Sequence, residues 1–413
     1  MRSARLWARL LGVEGTVIED LGFDERGALV VCVRPRAQER RRCGLCRRRC
    51  PGYDEGEGRR RWRALDLGTT CCYLEAEAPR VRCRRHGVVV AAVPWARHDA
   101  RFTRSFDDQA AWLACQCSKR AVAELLRIAW LTVGRIVSRV AAEARARHDP
   151  LDYLRRIGID ELAHRKGHRY LTVVVDHDSG LLVWAAPGRD RKTLRRFFDL
   201  LGEERCAKIE LVSADAADWI AEVVNERCPN AALCLDPFHV VQWATAALDE
   251  VRREVWNTAR RAGQQAEAKA LKGARFVLWR NPQDLSGRQQ ARLAEIAQTN
   301  APLYRAYLLK EQLRTLLKLP AEEALALLEH WLAWARRSQL DPFRELAQKV
   351  AVHRAGIAFA LSHGLSNARV EAANTRIRLI ARRAFGFHSA EALIALALLS
   401  LGGLCPPLPG RAS

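Results

Sequence analysis

Three apolar runs follow one another between Ile157 and Pro187, IGIDELAHRKGHRYLTVVVDHDSGLLVWAAP, separated by turns too short to hold a helix. The turns are Lys166-Gly167 and Asp176 to Gly180, and Asp176 and Asp178 read as turn formers. The runs therefore predict an antiparallel meander of three strands. A helical run from Asp190 to Leu201 ends at Gly202. After it come a strand (Lys208 to Ser213), a helix (Ala216 to Cys228), a second strand (Ala231 to Leu235) and a helix from Asp236 to about Trp256. Strands joined through helices are expected to be parallel neighbours. The order β-β-β-α-β-α-β-α is the ribonuclease-H-like plan.

One residue breaks the apolar pattern of the first run. Asp160 is a carboxylate inside a strand, which is costly to desolvate unless it is paired or holds a cation. Asp215 lies just past the end of the fourth strand. Glu371 lies on a later helix, Arg369 to Arg383, whose Val370, Ala373, Ile377 and Ile380 form an apolar stripe while Glu371, Asn374 and Arg378 share another face. Brought together, three carboxylates repel unless divalent metal sits among them. Two Mg²⁺ (or Mn²⁺) ions in such a cluster suit in-line phosphoryl displacement on DNA. Taken singly, Asp160 could be a solvated edge residue, Asp215 a helix N-cap and Glu371 an exposed helix charge. Asp218, one turn on, rivals Asp215, which is preferred because it ends the strand. Glu161 should face the other side of the sheet.

The charge balance points to the same partner. Lys and Arg number 68 against 47 acids, a formal +21, which calls for a polyanion. No run of about 18 apolar residues exists, so no membrane span is expected. The start, MRSARLWARLLGVEG, lacks a signal-peptide core, and the thirteen Cys suggest thiols and metal rather than disulfides. The expectation is the prokaryotic cytoplasm, on the nucleoid.

Cys43-x2-Cys46 and Cys83-x2-His86 each put two ligands on a tight turn, with strands between them. Two such turns can close one tetrahedral Zn²⁺ site, as in a zinc ribbon, with Cys50 able to replace a ligand. Residues 102 to 145 read as three helices. Phe106, Ala110, Leu113 and Cys117 form a stripe on the first. Ser118 is the N-cap of the second, with Val122, Leu125 and Leu126 inward, and the third carries Arg135 and Arg139 on its outer face. This is a helix-turn-helix plan for the DNA major groove.

GIDELAHRKGHRYLTVVVDHDSG, LVSADAADWIAEVVNERCPNAALCLDPFHVVQWATAALDEVRR and LSNARVEAANTRIRLIARRAFGF, with the Cys knuckles and the three-helix stretch, resemble the ISL-three family of insertion-sequence transposases over nearly the whole chain. The resemblance puts Asp160, Asp215 and Glu371 on the family's acidic triad. Asp236 and His239 fall on its Asp-x-x-His signature, to which a supporting role beside the site or on the DNA strand is given, as to Asn374. Arg135, Arg139 and Arg378 are assigned to DNA, and Cys43, Cys46, Cys83 and His86 to one Zn²⁺. His86 stands where Cys is common, Pro237 where Arg is usual, and Ala368 and Ala372 where Gly is common. The expected function is binding of terminal inverted repeats with metal-dependent cleavage and strand transfer, by a homo-oligomer that pairs two ends. A DNA-binding regulator with a degenerate core, and a nuclease without strand transfer, are the alternatives. The expected architecture is multidomain α+β: a zinc-binding domain (1–98), a helix-turn-helix (99–150), a ribonuclease-H-like core (151–256) interrupted by an all-helical block (257–362), and the rest of the core with the Glu-bearing helix (363–413).

Overall fold

The computed structural model describes residues 2–411, with side chains from residue 6 onward. The chain forms two compact units: residues 1–149 with 379–413, and residues 150–378.

The first unit opens with α1 (Arg2–Leu10), then β1 (Thr16–Phe23) and β2 (Leu29–Pro35). Next come β3 (Gly52–Asp54), β4 (Arg59–Leu67), β5 (Thr70–Glu77), β6 (Arg80–Cys83) and β7 (Gly87–Val90). They make a four-stranded sheet, β1-β2-β5-β4, and a small sheet, β3-β6-β7. Leu29, Val31, Val33, Trp62, Cys72, Leu74 and Trp95 form the core beneath the larger sheet. Then follow α2 (Arg104–Gln116), α3 (Lys119–Leu125) and α4 (Trp130–Arg147). Ser118 caps α3 by accepting the Ala121 N–H at 3.2 Å, as its sequence position predicts. Leu125, expected inward, is 62% exposed, because α3 ends there and only Val122 and Leu126 reach the core.

The second unit begins with β8 (Arg156–Arg165), β9 (Arg169–Asp176) and β10 (Leu182–Pro187), then α5 (Arg191–Leu201), α6 (Glu203–Cys206), β11 (Leu211–Ala214), α7 (Asp218–Arg227), β12 (Ala232–Leu235) and α8 (Pro237–Arg261). The sheet order is β10-β9-β8-β11-β12. β8 to β10 are antiparallel neighbours, and β11 is parallel to both β8 and β12. The fourth strand starts three residues later than expected. Lys208 and Ile209 close a turn on Arg205 and Cys206 through backbone hydrogen bonds of 3.1 and 3.2 Å. Asp190 caps α5 by accepting the Thr193 N–H, and Gly202, at φ +82°, ends it. Phe197, Phe198, Trp184, Val212 and Val223 pack beneath the sheet.

Residues 265–363 hold α9 (Gln265–Gly273), α10 (Arg275–Trp279), α11 (Gly287–Thr299), α12 (Ala301–Leu316), α13 (Ala321–Arg336), α14 (Asp341–Val352) and α15 (Arg354–His363). They pack with α8 around Leu309, Trp331 and Phe343. Then α16 (Ala368–Arg383) carries the chain onward, and α17 (Ala390–Leu401), capped by Ser389, packs on α4 within the first unit. No helix among the described residues is long and apolar enough to cross a membrane.

Candidate active site and metal centre

Strand register aligns three acids before any side chain is considered. Ile159 of β8, Ala214 of β11 and Leu235 of β12 form one row across the parallel strands. One residue further on stand Asp160, Asp215 and Asp236. β11 and β12 stop there, while β8 runs on against β9, so the carboxylates stand side by side where the parallel pairing ends.

Asp160 is half-buried. Its Oδ1 accepts the Glu161 N–H at 2.6 Å and its Oδ2 accepts Asn374 Nδ2 at 2.7 Å. Burial, with the charges of Asp215 and Glu371, pushes its carboxyl up to about 6, against the pull of the Glu161 N–H and of His239. Asp215 is not an N-cap: the cap position of α7 is Ala217, which makes no side-chain capping bond. Its Oδ1 instead lies 2.5 Å from His239 Nε2 and 3.2 Å from Asn367 Nδ2. His239 Nδ1 faces Gln242 Oε1 at 3.2 Å. Both ring nitrogens therefore meet acceptors, and the hydrogen bond to Asp215 raises the imidazole's pKa, favouring imidazolium. Asp236 is 3% exposed and caps α8 through the Phe238 N–H, with Pro237 at the first helical position, where a missing N–H costs nothing.

The ligand atoms of Asp236, His239 and Glu371 lie within 4.8 Å of one another. Asp160, Asp215 and Glu371 do not form such a mutual group, although Asp160 feels the charge of both others. On the face they share, Glu371 is exposed while Asn374 is 2% exposed. Asn374 turns inward because its amide bonds Asp160, leaving its Oδ1 buried without a partner. Glu161 points to Arg189 at 2.6 Å, and Asp218 is exposed at the start of α7. Asp176 closes its turn by accepting the N–H groups of Asp178 and Ser179. The residues present fit a hard divalent cation: the Asp236 and Glu371 carboxylates and the His239 imidazole lie close enough to share one ion, with Asp160, held toward its neutral form chiefly by burial, and an orphaned amide oxygen nearby.

In the first unit, the Cys83-x2-His86 turn joins β6 to β7, and Cys43 to Cys46 spans a tight turn closed by the Arg47 N–H on the Cys43 carbonyl at 2.9 Å. Cys43 Sγ is 3.5 Å from His86 Nδ1, Cys83 Sγ is 3.6 Å from the same nitrogen, and Cys46 Sγ is 3.8 Å from Cys83 Sγ. These four form a mutual group within 4.8 Å, and Cys50 stands outside it. The N–H groups of Arg85 and His86 pull the Cys83 thiol down to about 6. A three-thiolate, one-imidazole set suits tetrahedral Zn²⁺.

Of the arginines, Arg135 and Arg378 are exposed. Arg139 is not a free outer-face residue. Its guanidinium reaches Asp107 Oδ2 at 3.1 Å, and Asp107, 0% exposed, would otherwise be a buried charge paired with Arg97 alone. Asn367 was missed as a site residue. Its only sequence signal is an amide four residues before Glu371, in a loop next to a helix start.

Comparisons with known proteins agree on a family. Residues 157–397 match a family profile described as "Transposase" (DDE_Tnp_ISL3). Residues 91–141 match "Helix-turn-helix domain of transposase family ISL3", and residues 39–86 match "zinc-finger of transposase IS204/IS1001/IS1096/IS1165". The "Transposase for insertion sequence element IS1557" of Mycobacterium tuberculosis (strain CDC 1551 / Oshkosh) is 56% identical over 436 aligned positions, covering 100% of this chain and 98% of that protein. The "Transposase for insertion sequence element IS1001" of Bordetella parapertussis is 29% identical, covering 95% and 96%.

Proposed function

The chain belongs to the ISL3 family of transposases, and on that premise we propose how its residues divide the work on DNA. It is a DDE-type transposase, an enzyme of DNA cleavage and strand transfer with a helix-turn-helix and a zinc ribbon. In our reading, the unit spanning 150–378 is a ribonuclease-H-like core with an all-helical insertion between Asp236 and Glu371, and Asp160, Asp215 and Glu371 are its catalytic acids. The observation that carries this is the convergence of charge: Asp160 within β8 is level with Asp215 and Asp236, which follow the ends of the neighbouring parallel strands β11 and β12, and Glu371, 135 positions after Asp236, presses on the Asp160 carboxyl.

Two Mg²⁺ or Mn²⁺ ions held by the three acids would offset their repulsion and the charge that builds on the attacking and leaving oxygens of an in-line displacement. The chain's own residues prepare that arrangement. Asn374 orients Asp160 through Oδ2, His239 pairs with Asp215, and Asp236 fixes the start of α8 and so the place of His239. Cys43, Cys46, Cys83 and His86 would hold one Zn²⁺ that shapes the ribbon. Arg135 on α4 is free to meet a base edge, and Arg378 a phosphate. Arg139 is withdrawn from that list because it neutralises Asp107. The reading includes recognition of the element's terminal inverted repeats, two protomers pairing two DNA ends, and action in the prokaryotic cytoplasm on the nucleoid. The formal charge of +21 supports phosphate tracking.

The deciding experiment incubates the full chain with Mg²⁺ and DNA carrying the inverted repeats that flank its own gene. Cut ends joined to a target are the expected product. Cutting without joining would reduce the protein to a nuclease, and binding without cutting to a regulator.

A further inference from the structure

Behind Asp215 runs a line of buried polar groups that leads away from the acids. Ser213, His177 and Asn367 are 0%, 5% and 1% exposed. His177 Nε2 lies 2.7 Å from Ser213 Oγ, Ser213 Oγ lies 2.5 Å from Asn367 Oδ1, and Asn367 Nδ2 lies 3.2 Å from Asp215 Oδ1. The chemistry of the ends fixes the direction of every bond. An ionised Asp215 only accepts, so the Asn367 amide nitrogen must face it and the amide oxygen must face Ser213. The Ser213 hydroxyl then donates to Asn367, and its oxygen accepts from a His177 protonated at Nε2. Burial and the Arg369 guanidinium push His177 down to about 4, and its Nε2–H is the donor at the far end of the line.

The same asparagine fastens a helix. Its backbone N–H donates to Asp236 Oδ2 at 3.3 Å, and its carbonyl accepts the Glu371 N–H at 2.8 Å. Asn367 thus grips two strand-end acids and the first turn of the helix that carries the third. Gly158 leaves the space for this: a Cβ there would stand 2.8 Å from His177 Nε2 and 3.1 Å from Ser213 Oγ.

We infer that Asn367, backed by Ser213 and His177, is a positioning residue that aims the Asp215 carboxylate and docks the Glu371 helix so that the acids meet around a cation. This rests on the proposed acidic site and adds to it the residue that assembles it.

The test uses the full chain and the variants Asn367→Ala, Ser213→Ala and Asp215→Asn. Mn²⁺ binding is measured by calorimetry, together with single-turnover cleavage of a DNA end, affinity for uncut DNA and thermal midpoint. In Asn367→Ala and Ser213→Ala, Mn²⁺ binding and cleavage rate should each fall about 10- to 100-fold, the usual cost of losing a partner that orients a ligand. DNA affinity should hold, and excess Mn²⁺ should restore part of the rate. Ser213→Ala carries the test if Asn367→Ala does not fold. A wild-type Mn²⁺ midpoint in Ser213→Ala, or a rate loss that Mn²⁺ never repairs, would overturn the inference while an inactive Asp215→Asn leaves the acidic site standing. A fully active Asp215→Asn would instead remove the acidic site itself.

Discussion

The two clusters of would-be ligands are built on opposite logic. Cys43, Cys46, Cys83 and His86 come from two short turns and already sit within 3.5 to 3.8 Å of their neighbours. Asp160, Asp215 and Glu371 come from two strands and a distant helix, and they do not close to the same degree. Thiols and imidazole hydrogen-bond to one another, so turn geometry can bring them into contact. Carboxylates repel, and the molecule holds them near each other only by placing imidazolium and amide donors among them. The difference teaches that a soft-metal site can be complete as a local motif, whereas a hard-metal site of this kind is held open by its surroundings.

That contrast can be broken most forcefully at the thiolates. Cys83→Ser, or a strong chelator, should release about one Zn²⁺ and unfold the ribbon, because structural zinc supplies on the order of 10 kcal/mol to such modules. Elemental analysis and amide exchange over β3, β6 and β7 would read it, and a metal-free wild-type protein would end the zinc assignment. Next in size, Asp215→Asn should lower cleavage about a thousandfold, roughly 4 kcal/mol of barrier, with DNA binding kept. It should not unfold anything, since Asn367 and His239 can still bond an amide.

The pH response sharpens the contrast further. Asp160 has a folded pKa of about 6 against 3.8, so its favourable share of stability is present below about pH 4 and is lost as pH rises through 6. Without divalent cation, Asp160→Asn should therefore melt higher than wild type above pH 6, by on the order of 1–3 kcal/mol, and the gap should vanish near pH 4. Added Mn²⁺ should restore the wild type, and pH-independent melting differences would contradict the crowded-carboxylate picture. The smallest effect belongs to His239→Gln. If the imidazolium competes with the cation for Asp215, removing it should tighten Mn²⁺ binding severalfold at pH 6, about 1 kcal/mol for a pair this exposed. Weaker binding would refute that competition and make His239 a ligand or a support of Asp215.

Much of this was legible in the chain. Runs of β-branched residues between tight turns gave the meander, and Ser118, Asp190 and Gly202 marked helix ends through capping chemistry that acts within four residues. The Cys and His spacing was equally local. What was misread depends on neighbours remote in sequence. Arg139 has the spacing of an outer-face residue, but Asp107, 32 positions earlier, takes its guanidinium. Asn367, given no role from the sequence, is tied through its amide to Asp215, 152 positions away. Leu125 has an inward position on the helical wheel, but its helix is too short to cover it.

The sequence by itself determined which segments become strands and helices, which turns carry the thiols, and which acids end up at strand ends, because propensity, capping and apolar periodicity act over a few residues. Only the tertiary structure decided which charge meets which. Strand register, the docking of α16 through Asn367 and the burial that surrounds Asp160 are set by long-range packing. Electrostatic energy depends on separation and dielectric, and neither exists until the chain has folded.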